Sequence, residues 1–253
     1  MLPMDQPPPS RPYITAKPAI IQRVPPDLLK PGRIKEAILP GIIPLPPSGG
    51  ILLDFIGQLG STTSGLTTVS FGSLTFPNDA LAVVAFAGLS TNNVVCSSIS
   101  IGGTNGTLHA ANASSTRKVG IASRVVAAGP LAISVTMSGS GGSSASYGVG
   151  VWALRRLKSA TPTGAAGNDA SSTTCSISHN QASPGVAIYC SMDTNTGSSV
   201  LSSAQTVYYR SGDANGRTFT YASSKNVATQ TPHTEILTIN TSTNVAIVGG
   251  AWQ

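Results

Sequence analysis

Proline is spread so unevenly along this chain that it divides the sequence before any other feature is read. Thirteen of the eighteen prolines fall in residues 1–50; the other five are Pro77, Pro130, Pro162, Pro184 and Pro232. Each proline removes a backbone donor and holds the residue before it in an extended conformation. Residues 1–50 can therefore build neither a helix bundle nor the interior of a sheet. "PDLLKPG" (26–32) and "RIKEAIL" (33–39) each have room for one helical turn. The rest is expected to be extended or polyproline II, with a reach on the order of 150 Å at about 3.1 Å per residue. "PSGG" (47–50) reads as the hinge between this arm and the body of the chain.

The arm is not composed like a solvated linker, which is poor in apolar residues. Ile20, Ile21, Leu28, Leu29, Ile34, Ile38, Leu39, Ile42 and Ile43 recur along it, interleaved with Arg23, Arg33 and Lys35. Such side chains need a surface to bury them, either the protein's own body or another subunit. Six basic residues against three acidic ones suit an acidic partner surface.

From residue 51 the character changes. Charged residues are only 9% of the whole chain and aromatics 5%, and Ser, Thr, Gly, Ala and Val dominate. That mixture favours strands and turns over surface helices. Apolar or alternating runs at 80–89, 95–103, 107–114, 118–126, 131–139 and 147–157 are separated by Gly, Asn, Ser or Pro turns. Regular spacing of this kind marks a sandwich or barrel. The expected fold is all-β: a jelly-roll-like β-sandwich over 51–253, preceded by the extended Pro-rich arm of 1–50.

The body also repeats itself. "LTFPNDALAVVAFAG", "LAISVTMSGS" and "YGVGVWALRRL" are echoed by "HNQASPGVAIYCSM", "TEILTINTST" and "NVAIVGGAWQ". Each series runs from a proline turn into an apolar strand, then an alternating strand, then a strand carrying a tryptophan. The halves are placed at about 51–158 and 168–253. They form either one large sandwich or two in tandem; the loop-like "LKSATPTGAAGND" (157–169) between them favours one.

Little in the chain points to catalysis. The carboxylates are Glu36, Glu235, Asp5, Asp27, Asp54, Asp79, Asp169, Asp193 and Asp213, most beside turns. Asp193 with Asp213 is the one pair weighed for glycoside hydrolysis, and nothing singles it out. His109, His179 and His233 stand in no metal-ligand pattern, so no metal or cofactor is expected. No nucleophile elbow or phosphate loop is present. The net charge of +6 is dispersed rather than clustered, which argues against specific nucleic-acid binding. No run approaches the length of a membrane span. "MLPMDQPPPSRPYITAKP" has no apolar core of a secretory leader, so synthesis in the cytoplasm is expected.

Three further features have two readings each. Cys175 and Cys190 would face each other if 175–190 formed a hairpin, giving a candidate disulfide; otherwise they are buried free thiols. Asn105, Asn112 and Asn240 lie in N-x-[ST] triplets, expected by chance in a Ser/Thr-rich chain. Trp152 and Trp252 are either sugar platforms or core residues.

"VCSSISIGGTNGTLHAA" (95–111), "YGVGVWALRRLKSATP" (147–162) and "VAIVGGAW" (245–252) resemble segments of tailed-bacteriophage and prophage structural proteins. The arm, "KPAIIQRV…LLKPGRIKEAILPGIIP", is similar to their N-terminal attachment segments. The resemblance implies a non-enzymatic virion component: a head decoration, a spike, or a neck or tail fibre. It implies capsid, neck or tail subunits as partners of the arm, a homo-oligomer (a trimer by analogy) and a host-surface glycan as a further contact. A carbohydrate-binding or adhesion module is the alternative, and the arm discriminates against it, since a free lectin needs no such segment.

Overall fold

In the computed structural model, the residues described are 50–253 except 63–64, 91, 93, 113–116, 141–145, 194–199, 203–205 and 213–217. Residues 47–253 form one unit. The expected arm lies outside the described residues.

The described chain is all-β. Its strands are β1 (Leu52–Ser61), β2 (Thr68–Phe76), β3 (Ala80–Leu89), β4 (Cys96–Ile101), β5 (Thr104–Asn105), β6 (Thr107–Ala111), β7 (Arg117–Val126), β8 (Gly129–Met137) and β9 (Ser146–Arg155) in the first half. The second half has β10 (Gly164–Gln181), β11 (Gly185–Asp193), β12 (Val200–Leu201), β13 (Thr206–Gly212), β14 (Thr218–Val227) and β15 (Gln230–Trp252). All pairings are antiparallel. Among the described residues no helix is long and apolar enough to cross a membrane.

The first half is a two-layer sandwich. One sheet has the order β1-β9-β3-β7-β6 and the other β2-β8-β4-β5. Sequence pattern explains which strand goes where. β3, "ALAVVAFAGL", is buried on both faces except at its last residue, as a near-continuous apolar run must be. β8 alternates, with Ile133, Val135 and Met137 inward and smaller or polar residues outward. Val84, Phe86, Ile99, Ile133 and Val135 meet in the core between the layers.

The second half repeats this plan with longer strands. Its main sheet runs β10-β15-β11-β14-β13, matching β1-β9-β3-β7-β6 position for position. β10 and β15 each continue where the first half has two separate strands. Their pairing shifts between Ser172 and Thr174. Beyond that shift the ribbon doubles back: Asn168 Nδ2 donates to Ser176 O at 2.9 Å, and Thr163 Oγ1 to Asn180 O at 3.2 Å. Residues 174–181 and 230–239, with β12, thus take the place of β2, β8 and β4. The cross-strand triplet Val69–Val135–Ile99 becomes Cys175–Leu237–Leu201. The echo seen in the sequence is a duplicated fold, and Val83 faces Trp152 as Val186 faces Trp252.

The two main sheets pack face to face, so the body is one stack of four layers. β11 lies over β3, while β10 and β15 lie over β6 and β7. At that edge the backbones come close: a Cβ on Gly167 would sit 3.3 Å from the carbonyl carbon of Ala111. At the other edge aromatic side chains span the gap. Phe55 stacks on Tyr208 with ring centroids 4.5 Å apart, and Trp152 meets Tyr221 edge-on at 6.4 Å. Tyr221 lies across "YGVGVW": Cβ atoms on Gly148 and Gly150 would fall 2.3 Å from its hydroxyl and 2.5 Å from its ring, respectively. Those glycines are therefore packing residues, and overfilling such a contact typically costs about 1–3 kcal/mol.

The second half starts earlier than its composition suggests. β10 begins at Gly164, so "GAAGND" is strand rather than loop. Its glycines fit two close backbone approaches: a Cβ on Gly167 would crowd Ala111 of β6, and one on Gly164 would fall 2.4 Å from the Asn180 nitrogen of the folded-back ribbon.

Candidate functional site

The residues singled out in the arm (Ile20, Ile21, Arg23, Leu28, Leu29, Arg33, Ile34, Lys35, Ile38, Leu39, Ile42, Ile43) lie outside the described residues, as does Asp213. The others divide between the interface joining the halves, a polar cluster in the second half, and two cavities.

The hairpin that would have brought Cys175 to Cys190 does not form. β15 lies between β10 and β11, so Cys175 pairs with Leu237, and Cys190 with Tyr221 and Val248. The two thiols point into different cores, on opposite faces of the main sheet. All three cysteines are free and buried. Burial pushes the Cys96 thiol up to about 12 and Cys175 up to about 11, and raises Cys190 well above its ordinary value.

Trp152 and Trp252 are completely buried at the interface between the halves. Each indole lies over the glycine two residues before it, with a Cβ on Gly150 or Gly250 placed 3.0 Å from the ring. Each also reaches the other half: Trp152 meets Tyr208, and Trp252 meets His109. Their role is packing. Asn105 is exposed, whereas Asn112 is buried and its Nδ2 donates to Arg117 O at 2.7 Å.

Three of the described carboxylates hold basic or backbone partners. Asp54 takes a 2.6 Å ion pair from Arg155, and Asp79 accepts from Ala128 N–H. Asp169 pairs with Arg117 across the interface. Lys118, beside Arg117, is fully buried, and that burial lowers its ammonium to about 8, with Asp169 pulling the other way.

His179 and His233, isolated in sequence, are directly paired across β10 and β15, with ring centroids 5.6 Å apart. They belong to a buried polar cluster. Gln230 Oε1 lies against His233 Nδ1, and Glu235 Oε2 is 3.3 Å from His233 Nε2. Ser202 Oγ donates to Glu235 Oε1 at 3.0 Å, and Gln181 Nε2 to the Tyr189 hydroxyl at 3.0 Å. The first half has Leu74 paired with Leu131 where the second has His179 with His233. The inward alternation of "SISHNQ" and "HTEIL" carries these positions in the sequence, but their partnership depends on a long-range pairing. Among the described residues no group of three or more His, Cys, Asp and Glu side chains is placed to hold a metal ion.

One cavity of about 270 Å³ is lined by residues including Asn105, Thr107, His109, Ser123 and Arg124. His109 Nε2 and Ser123 Oγ are 2.7 Å apart there, while Arg124 donates to Ile101 O. Burial lowers the His109 pKa, favouring neutral imidazole. A second, of about 290 Å³, opens at the aromatic edge of the interface. It draws on 58–62, 146–148 and 219–221, too far apart in sequence to be read as one site.

No protein-family model, curated protein or solved structure matches this chain.

Proposed function

We propose that this protein is a non-enzymatic structural component of a virion, anchored through residues 1–50 to capsid, neck or tail subunits and displaying the double sandwich outward. The observation that carries this reading is the coincidence of two boundaries. The composition changes from proline-rich, apolar and basic to Ser/Thr-rich near residue 50, and residues 47–253 form a unit of their own. The body supports a display role in its own right. Its outermost sheet carries Thr68, Thr136 and Ser98 in one cross-strand row and Ser70, Ser134 and Ser100 in the next. Those hydroxyls solvate a sheet face without charge. The arm suits attachment because proline reduces the freedom lost on docking, and its Ile and Leu side chains fill apolar grooves. Virion placement and assembly as a homo-oligomer, with a trimer as the working model, rest on the resemblance to tailed-phage structural proteins.

Deletion of residues 1–46 tests the reading. The truncated chain is expected to keep its β-sheet circular dichroism and to be missing from assembled particles. Incorporation at the full-length level would overturn it. The alternative, a carbohydrate-binding or adhesion module, is favoured by one feature: the aromatic and hydroxyl-lined cavity between the halves.

A further inference from the structure

We infer that the 290 Å³ cavity between β1, β9 and β14 is a binding site for one neutral sugar residue. The inference rests on the reading of the body as the displayed part of the protein.

The duplication of the fold places the same two positions at both edges of the interface. Arg117 pairs with Leu89 in β3, and Phe219 holds the corresponding place opposite Met192 in β11. Asp169 is opposite Ala246; Thr62 takes the corresponding place, one residue past the Ser61–Tyr147 pair. At one edge these positions hold Arg117 and Asp169, which close it with an ion pair. At the other they hold Phe219 and Thr62, and the edge opens into a cavity.

The lining has the chemistry of a sugar site. Phe219 and Tyr221 supply aromatic surface, and Gln58, Thr62 and Ser146 supply an amide and hydroxyls; the Tyr147 ring is turned the other way, stacked on Phe86 in the first-half core. A pyranose has an apolar C–H face and a polar rim of hydroxyls, which these two sets of groups complement. No charged side chain is among the described residues that line the cavity. From the described lining residues alone, an acidic sugar or a phosphate would lose hydration there without gaining a counter-charge. The lining residues sit on or beside strands of both halves, so the site is held by the packed interface.

The test uses the full-length protein and saturation-transfer NMR with the methyl glycosides of glucose, galactose, mannose, N-acetylglucosamine and N-acetylgalactosamine. Glucuronic acid serves as the charged control. At least one neutral glycoside is expected to receive saturation, and glucuronic acid is not. Gly60→Leu places a side chain at the cavity rim, where a Cβ would meet only Tyr147 O at 3.7 Å. Gln58→Ala removes the amide. Each variant is expected to weaken binding at least about tenfold, equivalent to about 1.4 kcal/mol, with an unchanged thermal midpoint. Absence of transfer from every neutral glycoside, or transfer undiminished in both variants, would overturn the inference. Particle incorporation of the Gly60→Leu chain reports separately on anchoring, so failure of the sugar site and failure of the virion reading are distinguishable.

Discussion

Arg117 in β7 lies 3.3 Å from Asp169 in β10, and this ion pair fastens the first half of the body to the second. Its side chains are 6% and 19% exposed, so little water screens the charges. Asn112 Nδ2 adds a 3.3 Å contact to the same carboxylate. Asp169→Ala would leave the guanidinium at the interface without its counter-charge. Loss of one partner from a fully buried pair costs about 3–5 kcal/mol; with Asp169 partly exposed, about 2 kcal/mol is expected. Urea unfolding of Asp169→Ala measures the loss directly. The double variant Arg117→Met/Asp169→Leu is expected to recover much of it, because a well-packed apolar pair removes the desolvation cost. A single Asp169→Ala variant as stable as the parent would show that the pair does not hold the halves together.

The same architecture explains how far the fold is legible in the sequence. β3 and β9 are evident because apolar runs bounded by turns, the second carrying Trp152, have few other solutions. The repeat is also visible, since strand order preserves the spacing of its motifs. The folded ribbon is not: the first part of β10 has no large apolar residue, and its register is set by β15, on the order of fifty or more positions away. Cys175 and Cys190 show the limit most clearly. Nearness in sequence suggests a hairpin, but both edges of β11 are taken, by β14 and by the C-terminal part of β15. The sugar-site residues carry no motif, because three strand ends assemble them.

The His179 cluster makes stability depend on pH with a definite sign. Burial is the main cause lowering the His179 pKa below its ordinary 6.5; His233 adds to it, while the Asn180 carbonyl and Glu235 oppose it. The groups around the ring are His233, Glu235 and Tyr189, with Asn180 adjoining. A base with a depressed folded pKa binds fewer protons when folded than when unfolded, so stability rises with pH across the interval. The contribution is therefore intact above about pH 6.5 and is lost as pH falls toward the folded value. His179→Leu copies Leu74 of the first half and removes this titration. The difference in unfolding free energy between parent and variant, followed from pH 8 to 5, is expected to move steadily in the variant's favour below about pH 6.5. A constant difference would rule out the imidazole as the source.

The cysteines give a prediction about redox behaviour. Disulfide exchange requires a thiolate within reach of its partner. Neither condition is met: burial raises all three thiols, and Cys175 and Cys190 face different cores. Cys96 is held as tightly, since a Cβ on Gly120 would fall 2.7 Å from its sulfur. The native protein is therefore expected to show no reaction with a thiol-specific chromogenic disulfide over an hour at about pH 8. In strong denaturant all three cysteines should react. Diamide treatment of the folded protein should leave its mobility on a non-reducing gel unchanged and its thermal midpoint unmoved. Loss of two titratable thiols on such treatment, without unfolding, would mean that β15 leaves its place between β10 and β11, since the sulfurs of Cys175 and Cys190 can meet only if it does.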